Sequence, residues 1–127
     1  MIIIQTIPHK EQRYETCGDY WRDKKGDLQI RVSDTGNTNM NFLIAVHELI
    51  EVFLTEDRGI KEPLIKAFDE KFEAERLKGI HRIDDDPGDK FDAPYRKEHF
   101  FATNIERMLC AELGVNWQEY DNTVMSL

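Results

Sequence analysis

The residues best suited to chemistry in this chain are His47, Glu48 and Glu51, in the run His47-Glu48-Leu49-Ile50-Glu51. Imidazole nitrogen and carboxylate oxygen are donors that hold divalent transition ions at neutral pH. Residues four apart on a helix stack on one face, so His47 and Glu51 could grip a single ion between them. Glu48 lies about 100° around the helix from His47, within reach of a water beside such an ion. The structural alternative for the same residues is ordinary: the two glutamates pair with basic neighbours, and His47 is a satisfied, semi-buried histidine.

The surrounding residues make these polar groups conspicuous. Phe42, Val46, Leu49, Ile50 and Phe53 form one apolar stripe, and Leu43, Ile44, Ala45, Val52 and Leu54 extend it around most of the helix. A helix apolar nearly all round is a buried one, and polar groups inside it need a partner or a function. Two further helices carry related pairs. In the second, Leu64, Ile65, Phe68 and Phe72 make the stripe, with Asp69 and Glu73 at its edge. In the third, Phe101, Ala102, Ile105, Leu109 and Leu113 make it, flanked by His99 and Glu106. Packed together, these helices would bring His47, Glu51, Asp69, Glu73, His99 and Glu106 to one place. The expected arrangement has His47, Glu51 and His99 as ligands, and Glu73 or Glu106 as a further ligand or as the group that orients one. Glu48 is then the general base. Two histidines with carboxylates favour Zn²⁺, with Mn²⁺ or Mg²⁺ as the alternatives.

The helices that must position these groups are predicted over residues 40–57, 62–78 and about 95–113, with a short fourth from 117 to about 125. Gly59, Gly79 and Gly114 stand just past three of these ends, and Pro63 sits in a first turn. Ahead of them, Ile2 to Ile7 is β-branched and stops at Pro8, and Leu28 to Val32 alternates apolar and polar, so both read as strands. Residues 9–26 read as polar turns, with Cys17-Gly18-Asp19 among them, and the aspartate-rich stretch from Ile80 to Pro94 reads as a solvated loop, the alternative being a Ca²⁺ or Mg²⁺ site without the EF-hand spacing. His9 and His81 fall in these loops and are expected to be solvated. Trp21 and Trp117 are expected to pack the chain ends. The fold class is therefore α+β: one domain with short N-terminal strands, three main helices and a short C-terminal helix.

Composition narrows the function classes. The chain has 127 residues, 17 Lys+Arg against 25 Asp+Glu, and a net charge of −8. That balance argues against a sequence-independent grip on nucleic acid, which needs a basic face. It is compatible with a metal-held nucleotide or a basic protein partner. Apolar runs such as Phe42 to Val46 are far too short to span a membrane, and the start lacks the basic and apolar regions of a secretory leader. Two cysteines, Cys17 and Cys110, make no disulfide framework, so a reduced cytoplasmic setting is expected. Glu15 and Asp19 beside Cys17 disfavour a thiolate nucleophile there.

Three resemblances attach to these residues. His47-Glu48-Leu49-Ile50-Glu51 resembles the H-E-x-x-H signature of zincin-like metallohydrolases, with Glu51 in place of the second histidine. The resemblance implies metal-assisted hydrolysis with Glu48 as base. Glu48-x-x-Glu51 followed by Glu70-x-x-Glu73 resembles the carboxylate spacing of all-α nucleoside-triphosphate pyrophosphatases, which implies Mg²⁺. It departs from that family at Glu73, where an aspartate is usual, and in having strands at all. Finally, His47-Glu-Leu-Ile-Glu51, Phe68-Asp-Glu-Lys-Phe-Glu73, Pro87-Gly-Asp89, Ala93-Pro-Tyr-Arg-Lys-Glu-His99 and Ala102-Thr-Asn-Ile-Glu-Arg107, in that order, resemble small proteins encoded by phages and prophages. That implies an accessory protein acting inside a bacterial host cell. Its non-enzymatic form would bind a host protein or a small signalling nucleotide, steered by the acidic surface.

Overall fold

A computed structural model describes residues 1–127. Strands β1 (Ile2–Ile7), β2 (Gly18–Arg22) and β3 (Leu28–Ser33) precede helices α1 (Thr38–Asp57), α2 (Glu62–Leu77), α3 (Arg96–Glu112) and α4 (Trp117–Met125). Single 3₁₀ turns occupy His9–Glu11 and Pro87–Asp89. The strands form one sheet in the order β1-β3-β2, with β1 parallel and β2 antiparallel to the central β3. The class is α+β.

β3 is central because alternate residues Leu28, Ile30 and Val32 present a continuous apolar row, and all three are buried. That row packs against α1, which lies over β3 and β2. Ile2 and Ile4 stand beside Leu28 and Ile30 on the same face, but they belong to the outer strand and stay half exposed. Asn37 starts α1 by accepting a hydrogen bond from the Met40 backbone N–H at 3.1 Å, satisfying one donor of the open helix end.

The strand β2 was not expected, because Cys17-Gly18-Asp19 carries turn formers. Tertiary contacts override that preference. Asp19 is buried because the Arg13 guanidinium grips it with two hydrogen bonds, at 2.7 and 3.0 Å. Tyr20 and Trp21 then suit a strand, and Arg13 also lies 3.8 Å above the centroid of the Trp21 ring. Trp21 thus packs on the sheet surface rather than at a chain end. His9 and His81 are likewise not simply solvated. His9 bonds Ser33 at 2.8 Å and Glu15 at 2.9 Å, and His81 stacks on Phe72 with ring centroids 4.0 Å apart.

A larger correction concerns which helix faces are buried. α1 buries Met40, Leu43, Ile44, His47, Glu51, Val52 and Thr55, whereas Phe42 and Phe53 of the expected stripe are 47% and 48% exposed. α3 buries Glu98, His99, Ala102, Glu106 and Cys110, leaving Phe101 exposed, and α2 leaves Leu64 exposed. Counting apolar side chains favours the wrong meridian here because mutually satisfied polar groups can be buried as well. α1 and α3 therefore meet through their polar seams rather than beside them. The difference is measurable by urea unfolding: Leu43→Ala should cost about 2–5 kcal/mol, as for a fully buried leucine. Phe53→Ala should cost less than about 1 kcal/mol.

Candidate metal centre

α1 and α3 run antiparallel, as the pairings His47 with Glu106, Glu51 with His99 and Arg58 with Glu98 require. One turn of α1 sets His47 above Glu51, and two turns of α3 set His99 and Glu106 on one face. Where the helices meet, Nε2 of His47 lies 3.1 Å from Oε2 of Glu51 and 3.2 Å from Nδ1 of His99. Nδ1 of His99 lies 3.0 Å from the same Glu51 oxygen. The three atoms thus form a nearly equilateral triangle. Donors bound to one ion at about 2.0–2.1 Å sit about 3.0–3.4 Å apart, so these three fit one face of a tetrahedral or octahedral ion. All three residues are buried, and the group could hold a metal ion.

The outer atoms decide which way the inner ones face. Nδ1 of His47 lies 2.9 Å from Oε1 of Glu106, an acceptor, so Nδ1 carries a proton and donates it there. Nε2 of His99 faces Oδ1 of Asp89 at 3.3 Å and Oδ2 of Asp86 at 3.5 Å, which assigns its proton likewise. In the neutral tautomers, Nε2 of His47 and Nδ1 of His99 then turn bare lone pairs toward the Glu51 carboxylate. Three converging acceptors repel unless a cation or protons lie among them. Tyr20 donates its hydroxyl to Oε1 of Glu51 at 3.2 Å, and Tyr120 donates to Oε2 of Glu106. All four oxygens of the two glutamates are thereby engaged.

Without an ion, protons fill the gap. Burial alone would lower the histidines, but Glu106 and Glu51 outweigh it and hold His47 well above its ordinary pKa. His99 is raised to about 10 in the same way, by Asp89 and Glu51 against burial. Burial pushes Glu51 upward, yet its bonds to His47 and His99 prevail and bring it to about 2. Both rings then point N–H groups at a single oxygen and at each other, a strained use of 3.2 Å. Glu48 differs. No hydrogen bond reaches its carboxyl group, and burial together with the charge of Glu51 raises it to about 8. A Cβ at Gly18 would fall 2.5 Å from Oε1 and 2.7 Å from Cγ of Glu48, so any larger residue there would push this side chain aside.

The structure does not bring every expected ligand into the group. Glu106 stands behind His47 rather than beside the three donor atoms. Asp69 is taken by the Tyr95 hydroxyl at 2.5 Å, with burial raising it to about 7. Glu73 lies 3.5 Å from the Arg76 guanidinium, its neighbour on α2. Glu70 is exposed beside Lys66, so the four glutamates of the pyrophosphatase-like spacing do not face inward together. Tyr20 and Tyr120 were missed, and Asp86 and Asp89 were weighed only as part of an aspartate-rich loop, without His99. Tyr20 lies in a stretch that reads as turns, and Tyr120 in the short last helix, outside the three helices that carry the acidic and histidine pairs. The aspartates carried a signal in Asp86-Pro87-Gly88-Asp89, a tight turn that sets two carboxylates side by side. Gly88 lets that turn lie on the His99 ring, where a Cβ would come within 2.5 Å of Cγ. Cys17 is not a nucleophile by this geometry, since burial and Glu48 keep its thiol protonated.

Two measurements check this account. Gly18→Ala should cost about 1–3 kcal/mol through overpacking. Most of that cost should vanish in a Glu48→Ala background, which a double-mutant cycle by denaturation would read. The second concerns pH. Because Glu48 is raised from 4.5 to about 8, the folded chain keeps a proton that the unfolded chain releases, so stability falls as pH rises through that window. In chelator-treated protein, Glu48→Gln should therefore gain stability over wild type between pH 5 and 9, by about 1–2 kcal/mol at the upper end. An unchanged difference across that range would mean that Glu48 ionises freely. No family model, no curated protein and no solved structure matches the chain.

Proposed function

We propose that this protein is a metal-dependent hydrolase of zincin-like logic, with His47, Glu51 and His99 as the metal ligands and Glu48 as the general base. The observation that carries the reading is the convergence of three donor atoms 3.0–3.2 Å apart, with the unpartnered carboxyl of Glu48 one residue along the same helix. Zn²⁺ suits two imidazoles and one carboxylate best, with Mn²⁺ and Mg²⁺ as the alternatives. Bound there, such an ion supplies Lewis acidity, which polarises a carbonyl or phosphoryl oxygen and makes a nearby water more acidic.

The protein's own groups do the rest. Glu106 fixes the His47 ring, and Gly88 packs against the His99 ring and holds it, so the two lone pairs hold their aim without reorganisation. Glu48, held near neutrality by burial, is basic enough to take a proton from the attacking water and acidic enough to return it to a leaving group. The resemblance to phage-encoded proteins supplies the setting in this reading, the interior of a bacterial host.

A second reading has support from burial. His47, Glu51 and His99 are each less than a tenth exposed, so an ion could serve to join α1 to α3 without turning over a substrate. Metal content separates the possibilities. Plasma mass spectrometry should find metal in wild type and about one ion per chain fewer in His47→Ala. Equal content in both would remove the metal reading, and the seam would be polar packing. Glu48→Gln should keep its metal while hydrolysis of a peptide and phosphoester panel falls about 10²–10⁴-fold. Undiminished turnover in that variant would take the base role away from Glu48, and turnover absent from wild type would favour the structural joint.

A further inference from the structure

His99 has two working nitrogens, and the second faces a different set of groups. Nδ1 looks into the buried triangle. Nε2 looks outward, between Asp89 at 3.3 Å and Asp86 at 3.5 Å. A charge-assisted N–H···O bond would be about 2.7–2.9 Å, so neither approach closes into one. The separations match instead the spacing of two donors on one ion with bonds of about 2.1 Å. His99 is nine-tenths buried and aims this atom into the pair, and the donor atoms of Asp86, Asp89 and His99 all lie within 4.8 Å of one another.

The only counter-charge beside these two carboxylates is the His99 ring itself. Neither carboxylate has a lysine or arginine within ion-pair distance, and Lys90, which lines the depression beside them, is held by Asp92 at 2.7 Å. The geometry of the turn is also fixed. Asp86 spends its other oxygen on the Gly88 N–H at 2.8 Å, Gly88 rests on the imidazole, and the Asp89 carbonyl accepts from Arg96 at 3.4 Å. An open depression of about 260 Å³, with Asp84, Asp85 and the stacked Phe72 and His81 on its walls, leads from solvent to Asp86 and Asp89. It gives an entry path and room for water ligands.

We propose that Asp86, Asp89 and Nε2 of His99 form a second divalent-cation site, of a type that favours Mn²⁺, sharing the His99 ring with the buried site. When both sites are filled, the ring bridges them: Nδ1 serves the inner ion, Nε2 the outer one, and the Nε2 proton leaves to solvent. The outer site extends the metal reading of the inner triangle, and its two carboxylates supply none of that triangle's three atoms.

The test is a count of ions. Chelator-stripped wild type, Asp86→Asn/Asp89→Asn and Glu51→Gln are dialysed against Mn²⁺ and read by plasma mass spectrometry and electron paramagnetic resonance. The exposed double substitution keeps the cap on Gly88, and circular dichroism verifies its fold. Two ions in wild type with an exchange-coupled signal, and one uncoupled ion in the double variant, are expected. One ion in wild type that survives in the double variant would overturn the outer site and leave the inner reading standing. One ion that is lost in the double variant but kept in Glu51→Gln would establish the outer site and sink the inner reading. If Glu51→Gln does not fold, the comparison of wild type with the double variant decides the outer site by itself.

Discussion

Two histidines and two glutamates meet in the interface between α1 and α3, and the placement of most other elements can be traced to keeping that meeting satisfied. An ion pair withdrawn from water loses several kcal/mol of hydration per charge, which is recovered only with good geometry and bonds to the remaining polar atoms. The protein meets that requirement from every side. The sheet sends Tyr20 to Glu51, α4 sends Tyr120 to Glu106, and the loop after α2 folds Asp86 and Asp89 over His99. Arg58 at the end of α1 holds Glu98 at the start of α3 at 2.8 Å, closing the far end of the same interface. A four-residue polar seam thus recruits three elements besides the two helices that carry it.

This arrangement also explains what could and could not be read from the residues alone. The helices lay open because their ends are marked by Asn37, Pro63 and three glycines, and α4 falls at the expected residues. The grouping of His47, Glu51 and His99 was legible because i, i+4 spacing converges side chains whatever lies around them. The buried face of α1 was not legible from its apolar residues. Its sides are nearly equal in hydrophobicity, so the choice among them is made by β3 and α3, which lie far away in the chain. β2 was hidden for a related reason. Gly18 and Asp19 look like a turn until Glu48 and Arg13 are in place to use them. Asp69 and Glu73 had the right spacing on the right kind of helix, but Tyr95 and Arg76 were nearer.

Glu48 stands apart from this satisfied network. Its neighbours His47 and Glu51 each have two or more partners, whereas its own carboxyl has none. A protein selected for stability alone gains little from an unpartnered carboxyl next to a carboxylate, and a glutamine or methionine would pack the same space with less electrostatic cost. Carboxyl groups whose ionisation is shifted by burial and a neighbouring charge concentrate where chemistry is done. Gly18 extends the point to the backbone: β2 gives up a side chain so that this one carboxyl can occupy its position.

The seam closes over 59 positions between His47 and Glu106, so it belongs to the non-local contacts of the fold. Until α3 docks, His47, Glu48 and His99 are in water, where at neutral pH the imidazoles are mostly uncharged and the glutamate is ionised. Docking reverses each state, since both rings and the Glu48 carboxyl are raised past neutrality in the metal-free chain. Assembly of the ion-free domain therefore draws up to about three protons from the buffer, and hydrogen-ion activity acts as a reactant in its folding.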